Sequence, residues 1–318
     1  MTDAIAQADH KCSSGDVAGA LAVLDAAATA GDALAARELA VWYLEGQLVP
    51  RDLSAARRAF GRAAELGDAP SRTVFRNFVA QGRGGPADWP RAVELLRTDG
   101  DDDGARQLAL LEATGQLSAP GGTHDYPSET LSEAPLIRHF HGFLSAAECD
   151  YLAASALPLL QPAVIVDPQT GRQRPNPIRT SEAAAFAFID ESPFIHSVNQ
   201  RIAGASGTDV RCGEPLQVLR YAPGQQYRLH SDALPGCPPQ QQRVLTFLIW
   251  LNDDFAGGET DFPELGIRVR GQRGDGLLFR SADPQGAPDP RAVHAGLPVT
   301  AGTKLLASRW IRATPLAY

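Results

Sequence analysis

The chain has 318 residues, 44% hydrophobic and 21% charged, an ordinary composition for globular domains. At about 150 residues per domain the length suggests two domains, each able to bury a core without disulfide staples. The formal charge of −8 argues against a chain-wide basic footprint for nucleic acid, and no apolar run approaches the ~20 residues that span a membrane.

The amino terminus, Met1-Thr2-Asp3-Ala4, has no basic stretch followed by an apolar one, so no signal peptide is expected. Cys12, Cys149, Cys212 and Cys237 lie far apart and form no C-x-x-C pair. That pattern points to reduced thiols in the cytoplasm rather than disulfides or structural zinc.

Residues 1–116 show apolar positions at helical spacing, as in Leu21, Leu24 and Ala28, or Ala56, Ala59, Phe60 and Ala63. The segment also repeats itself at an offset of 36. Asp16, Asp52 and Asp88 fall in register, as do Ala20, Ala56 and Ala92. Gly31-Asp32 returns as Gly67-Asp68, Gly46 as Gly82, and Pro50 as Pro86. Each unit reads as a helix pair, with Gly supplying a left-handed C-terminal residue, Asp an N-cap, and Ala a close helix–helix approach. The third copy is expected to be degenerate, because Asp101-Asp102-Asp103 stands where the turn should be. Trp42-Tyr43-Leu44-Glu45-Gly46, Pro50-Arg51-Asp52 and Ala63-Ala64-Glu65-Leu66-Gly67-Asp68-Ala69 resemble the Sel-one-like class of tetratricopeptide-related repeats. Solenoids of this kind commonly carry a protein partner on a concave face, and a helical cap that only stabilises its neighbour is the alternative.

Residues 117–134 turn to Ser, Pro, Gly and Thr and read as a linker. Beyond them, residues 135–318 have short apolar runs (Leu216-Gln217-Val218-Leu219, Val244–Leu251, Leu277-Leu278-Phe279) punctuated by Gly and Pro, the texture of a barrel or jelly roll. A helix is expected over about Ser145–Leu157, where Ser145 and Glu148 have the spacing of a capping box.

Of seven histidines, two keep unusual company. His230-Ser231-Asp232 sets an imidazole and a carboxylate two residues apart, hence on one face of a strand. His294 follows Asp232 by 62 positions. Two His and one carboxylate can occupy one face of an octahedral ion and leave three positions open, the ligand set of non-haem Fe(II) oxygenases. Ten residues further on, Lys304 sits in the alternating run Gly302-Thr303-Lys304-Leu305-Leu306-Ala307-Ser308-Arg309-Trp310. Read alone, it either points inward to a buried anion or reaches out to water.

With these residues in order, the second half resembles the prolyl 4-hydroxylase-type 2-oxoglutarate/Fe(II) dioxygenases over about residues 135–314. The likeness is carried by Leu216–Tyr221 with Pro223-Gly224-Gln225, Tyr227, His230 and Asp232, by Arg243–Asp253, and by Gly257-Gly258-Glu259-Thr260. Gly274–Phe279 and the stretch from His294 to Trp310 complete it. The resemblance implies an α+β, two-domain chain in which the helical repeats precede a double-stranded β-helix of two facing four-stranded sheets with flanking helices. It implies Fe(II) on His230, Asp232 and His294, which would then be both metal ligands and catalytic residues. It implies 2-oxoglutarate with its far carboxylate on Lys304 near Tyr221, Thr246 as a further candidate for that pocket, dioxygen as the oxidant, and ascorbate as an accessory reductant. Arg179, Ser181, Glu214, Arg243 and Trp310 match substrate-groove positions of peptide-binding relatives, although Trp310 also fits a core residue and Arg243 an ion-paired strand end. Two departures fall on the substrate side: the short, proline-rich segment between Asp232 and Arg243, and Arg312 where peptide hydroxylases often carry histidine. The implied activity is hydroxylation of a prolyl residue in a protein or peptide with decarboxylation of 2-oxoglutarate to succinate. A small molecule or free amino acid as substrate, or an inactive adaptor whose repeats bind a partner, are the alternatives.

Overall fold

The computed structural model describes residues 2–122, 125–166, 173–175, 178–283 and 285–316. They form two compact units: Met1–Pro120 with Phe188–Ser197, and Gly121–Ala187 with Val198–Tyr318.

The first unit holds helices α1 (Asp3–Ser13), α2 (Val17–Thr29), α3 (Ala33–Glu45), α4 (Leu53–Glu65), α5 (Ala69–Gln81), α6 (Trp89–Asp99) and α7 (Asp102–Ala113). The 36-residue period is a period of caps. Asp16, Asp32, Asp52, Asp68, Asp88 and Asp101 are N-caps whose carboxylates accept from backbone N–H groups two or three residues on. Gly46 and Gly82 close α3 and α5 with φ of 72° and 74°, a left-handed conformation that other residues adopt only at a cost. Ala20, Ala56 and Ala92 are fully buried, so the repeated alanine marks where helices touch.

The third copy keeps its turn, contrary to expectation. Gly100 is left-handed and Asp101 caps α7 by accepting from Gly104 N. The Gly-Asp pair comes 33 residues after Gly67-Asp68 because α6 has 11 residues where α4 has 13, and because Gly100 follows α6 directly where Leu66 stands between α4 and Gly67. A shortened helix hides a conserved geometry from a fixed-offset comparison.

The segment Phe188–Ser197, distant in the chain, completes this unit. The buried Asn77 amide donates to Ile189 O at 2.8 Å, Gln81 Nε2 donates to Phe188 O at 2.8 Å, and Phe188 packs on Phe78 with ring centroids 5.7 Å apart.

The second unit begins with β1 (Ser128–Glu133), β2 (Leu136–Phe140) and α8 (Ala146–Ala156), then β3 (Gln161–Pro162), β4 (Val164–Val166), β5 (Gln173–Pro175) and β6 (Glu182–Ala185). After α9 (Pro193–Ser206), of which residues 198–206 are counted in this unit, come β7 (Gln217–Tyr221), β8 (Tyr227–His230), β9 (Arg243–Trp250), β10 (Ala256–Gly257), β11 (Thr260–Phe262) and β12 (Ile267–Val269). The last strands are β13 (Gly276–Arg280), β14 (His294–Gly296), β15 (Val299–Ala301) and β16 (Lys304–Arg312). Among the described residues a large sheet has the order β1-β2-β13-β9-β16-β7-β6-β3 and a smaller one β12-β11-β14-β8. The expected pair of four-stranded sheets is thus present with the larger extended to eight. A core of Leu219, Trp250, Phe262, Leu277, Phe279 and Leu306 packs in this unit.

Strand β1 lies inside the segment read as a linker, of which residues 123 and 124 fall outside the described residues. Its sequence, Ser-Glu-Thr-Leu-Ser-Glu, lacks an apolar face because it is an edge strand with no buried residue. Helix α8 has the expected capping box: Glu148 N donates to Ser145 Oγ and Ser145 N to Glu148 Oε2. All four cysteines are free thiols.

The buried Asp68 carboxylate holds both Ser71 N at 3.0 Å and Arg37 Nη1 at 2.8 Å. Asp68→Ala is expected to cost about 1–2 kcal/mol in urea unfolding of the full chain, and Asp68→Asn to recover most of the cap contribution. An unchanged midpoint for Asp68→Ala would contradict the capping account.

Candidate metal and co-substrate site

Two strands of the smaller sheet bring the histidines together. In the antiparallel ladder of β8 and β14, His230 and His294 are directly opposed, with ring centroids 4.3 Å apart. Cross-strand neighbours have Cβ atoms about 5 Å apart whatever their distance in sequence. Asp232, two residues past His230, completes a group whose ligand atoms all lie within 4.8 Å of one another. His230 Nε2 stands 3.5 Å from Asp232 Oδ1, and His294 Nε2 stands 3.7 Å from Asp232 Oδ2.

Both imidazoles are oriented by the backbone. His230 Nδ1 lies 2.8 Å from Arg228 O, and His294 Nδ1 lies 3.0 Å from Ala292 O. A carbonyl only accepts, so each Nδ1 carries a proton, and Nε2 is the nitrogen that each ring turns toward Asp232. Burial holds the His294 imidazole down at about 4, against the opposing influence of Asp232, so it is the neutral ligand form at neutral pH. For Asp232 burial alone would raise the carboxyl, but contacts with His230 and His294 and the Thr246 hydroxyl outweigh it and keep it ionised. Two imidazole nitrogens and one carboxylate, converging with no fourth protein donor in the group, fit an Fe(II) ion with open positions.

The larger sheet supplies a cation. Along β16 the residues Lys304, Leu306, Ser308 and Trp310 share one face and line the same pocket as the triad, whose empty space is about 420 Å³ including its open mouth. Lys304 is 2% exposed and sits opposite Tyr221 of β7. Its ammonium donates to Gly258 O at 2.6 Å and lies 5.6 Å from the Tyr221 ring centroid. The inward orientation holds. Burial brings the Lys304 ammonium down to about 8, with Glu259 opposing the shift. Gly258 has φ of 69°, a backbone conformation that favours glycine, and a Cβ there would crowd Lys304 Cδ at 3.1 Å. A buried cation beside the triad, with one of its three N–H groups on a carbonyl, fits the far carboxylate of a 2-oxo acid.

Thr246 has a different place from the one expected of it. Its Oγ1 donates to Asp232 Oδ2 at 2.6 Å, so it steadies the acid of the triad and does not line the pocket. Thr260, which sequence reading passed over, lines the pocket instead, as do Tyr227 and Ser308. Tyr227 stacks on His230 with centroids 3.4 Å apart and planes 14° from parallel. Its place three residues before His230 was the available signal.

Of the five substrate-groove candidates, only Trp310 lines the pocket. Arg243 stacks over the Trp310 ring at 3.7 Å and donates to Glu214 through Nε at 2.6 Å and Nη2 at 2.7 Å. Arg312 Nε joins the same carboxylate at 2.5 Å. The ion-paired strand end and the Arg312 departure are therefore parts of one cluster that holds Trp310. Arg179 places its guanidinium 5.7 Å from the Tyr227 ring, and Ser181 is buried below the surface.

Residues 216–312 match the family model of the 2OG-Fe(II) oxygenase superfamily. The chain is 38% identical to prolyl 4-hydroxylase 1 of Arabidopsis thaliana over 201 residues, which is 58% of this chain and 71% of that protein. It is similar to the viral collagen prolyl hydroxylase of Paramecium Bursaria Chlorella virus-1, solved as its 2OG complex, with 32% identity over 56% of this chain and 96% of that one and a TM-score of 0.46. A solved Sel1 repeat protein from Oxalobacter formigenes covers 31% of this chain and 42% of its own, at 22% identity and a TM-score of 0.28.

Thr246→Val removes the hydroxyl from Asp232 while keeping the shape of the side chain. Its expected effect is a loss of about 10–100-fold in Fe(II) affinity, read by anaerobic metal titration, with an unchanged circular dichroism spectrum. Wild-type affinity in this variant would detach Thr246 from the site.

Proposed function

This chain belongs to the prolyl 4-hydroxylase family of 2OG-Fe(II) oxygenases, and from that premise we infer that it hydroxylates a prolyl residue in a protein or peptide. It is a 2-oxoglutarate-dependent dioxygenase, with Fe(II), 2-oxoglutarate and dioxygen as its reagents. When bound, these supply the oxidation of a substrate C–H bond coupled to conversion of 2-oxoglutarate to succinate and carbon dioxide. The observation that carries the reading is the convergence of His230, Asp232 and His294 with a buried Lys304 in one pocket.

The chain's own residues do the following. His230, Asp232 and His294 hold the metal on one side, with their Nδ1–H groups anchored on Arg228 O and Ala292 O so that neither ring can turn away. Thr246 fixes the Asp232 carboxylate. Lys304 binds the far carboxylate of 2-oxoglutarate, Tyr221 flanks it, and Leu219, Leu248 and Leu306 keep water off that charge pair. Tyr227 and Trp310 present aromatic faces in the same pocket, and a pyrrolidine ring packs well on such faces. Glu214 and Arg312 act on substrate through Arg243, which they orient over Trp310. Homology to prolyl 4-hydroxylases supports the peptide substrate. The helical unit is proposed to receive a protein partner, supported by a groove with about 640 Å³ of empty space, its open mouth included, lined by Leu39, Tyr43, Arg58 and Arg62. Free thiols at Cys12, Cys149, Cys212 and Cys237 support a cytosolic location.

Succinate release screened against proline-containing peptides, with mass spectrometry for the gain of one oxygen atom on proline, tests the substrate. Modification of free amino acids alone would redirect it. Asp232→Ala is expected to abolish succinate production, since two neutral imidazoles are left to hold the ion, and full turnover would remove Asp232 from the metal. Lys304→Ala should raise KM for 2-oxoglutarate by about 10–100-fold, the worth of a buried hydrogen bond to a charged group. The pH dependence has a definite sign. The charged Lys304 binds the carboxylate and is lost as pH rises through about 8, so kcat/KM for 2-oxoglutarate should fall above that pH. Glu259, which favours the charged lysine, and Tyr221, whose own ionisation burial pushes up, are the groups that face it. A flat profile to pH 10 (about two units beyond) would contradict the assignment.

A further inference from the structure

A second group of metal-ligating side chains stands on the β1–β2 hairpin, built from residues that the oxygenase chemistry leaves unused. Glu129 of β1 is directly opposed to His139 of β2, and His141 follows His139 by two residues on the same face. Glu129 Oε1 lies 3.4 Å from His139 Nδ1 and 3.8 Å from His141 Nε2, and the ligand atoms of all three residues fall within 4.8 Å of one another. Donors bound to one zinc ion at about 2.0–2.1 Å in a tetrahedron are separated by roughly 3.3–3.4 Å, so small side-chain adjustments suffice.

The other edge of His139 is also provided for. Its buried Nε2 lies 3.2 Å from Asp275 Oδ2, close enough for a charge contact but without the geometry of a hydrogen bond. The buried Asp275 is itself fixed, accepting from Gly142 N on Oδ1 and from Gln272 N on Oδ2, both at 2.9 Å. Nδ1 is the ring nitrogen of His139 turned toward Glu129, 3.4 Å from its Oε1. Asp275 stands beside the ring edge opposite that nitrogen, the place from which a carboxylate can set the tautomer of a ligating histidine. The same two rings pack edge to face at 4.5 Å, which fixes their mutual angle.

We propose that Glu129, His139 and His141 bind a second divalent ion of the zinc class, with Asp275 as a positioning residue and a fourth coordination position open to water. Glu129 and His141 are half-exposed, so the ion enters from solvent and joins the edge strand β1 to β2. Bound there, it stabilises the hairpin and leaves the His230–Asp232–His294 centre to the oxygenase reagents.

The test counts metal on the full chain by equilibrium dialysis against zinc chloride, with cobalt(II) absorption reporting the coordination geometry. The wild type should bind two equivalents, and Asp232→Ala, Glu129→Ala and His141→Ala one each. Asp232→Ala combined with His141→Ala should bind none, and the cobalt bands of the Asp232→Ala protein should be of the tetrahedral kind. Asp275→Asn should keep the second equivalent but weaken it by about 10–100-fold. One equivalent in the wild type, or two in His141→Ala, overturns the proposal. Because Glu129 and His141 are half-exposed their replacements leave the core intact, and the wild-type comparison with His141→Ala decides the matter even if the Asp232 variant fails to fold. The outcome is independent of whether the chain hydroxylates proline.

Discussion

The oxygenase unit depends on one antiparallel pairing. His230 and His294 are useful together only because β8 and β14 place them opposite each other. A slip of one residue in that ladder would turn one imidazole to the other face of the sheet. Register is held by the hydrophobic side chains around it: Phe262 and Phe279 pack on His294 with centroids 5.4 and 4.6 Å away, and Tyr227 stacks on His230. The metal site is thus a consequence of sheet packing, with two backbone carbonyls choosing which ring nitrogen is left to donate.

The pocket holds opposite charges in a place where isolated charges are costly. Asp232 and Lys304 are both almost wholly buried, one on each side of the space between the sheets. Each has a polar contact from the protein, Thr246 for the acid and Gly258 O for the lysine, and each is suited to a ligand of the opposite sign. Arg309, on the opposite face of β16 from Lys304, shows the structural counterpart. It too is buried, but its guanidinium donates to the carbonyls of Glu214, Asn199 and Val210. The same strand therefore carries one cation satisfied by the fold and another turned toward the reactants.

In the helical unit the repeated element is the cap. Six aspartates start helices at spacings that alternate between 16 and 20 residues until the last, which follows after 13, and buried alanines let those helices come together with little side-chain volume between them. Caps and small residues are local features, so they survive in sequence even where a helix is shortened by two residues, as in α6.

Local rules carried a long way in the sequence. The Asp and Gly caps, the capping box of Ser145 and Glu148, the alternation of β16 that turns Lys304 inward, and the H-x-D pair with a distant histidine are each set by residues close in the chain or by spacing within one strand. What only the tertiary structure decided are the pairings between remote segments. Thr246 turns to Asp232 instead of the co-substrate, Arg312 joins Glu214 and Arg243 around Trp310, and Phe188–Ser197 belongs with the repeats. Strand β1 arises from a polar stretch that has no pattern of its own. Cross-strand register and the packing of one sheet on another bring side chains together without leaving a periodic trace in either segment, because each partner's sequence is shaped by its own strand and not by the distance that separates them along the chain.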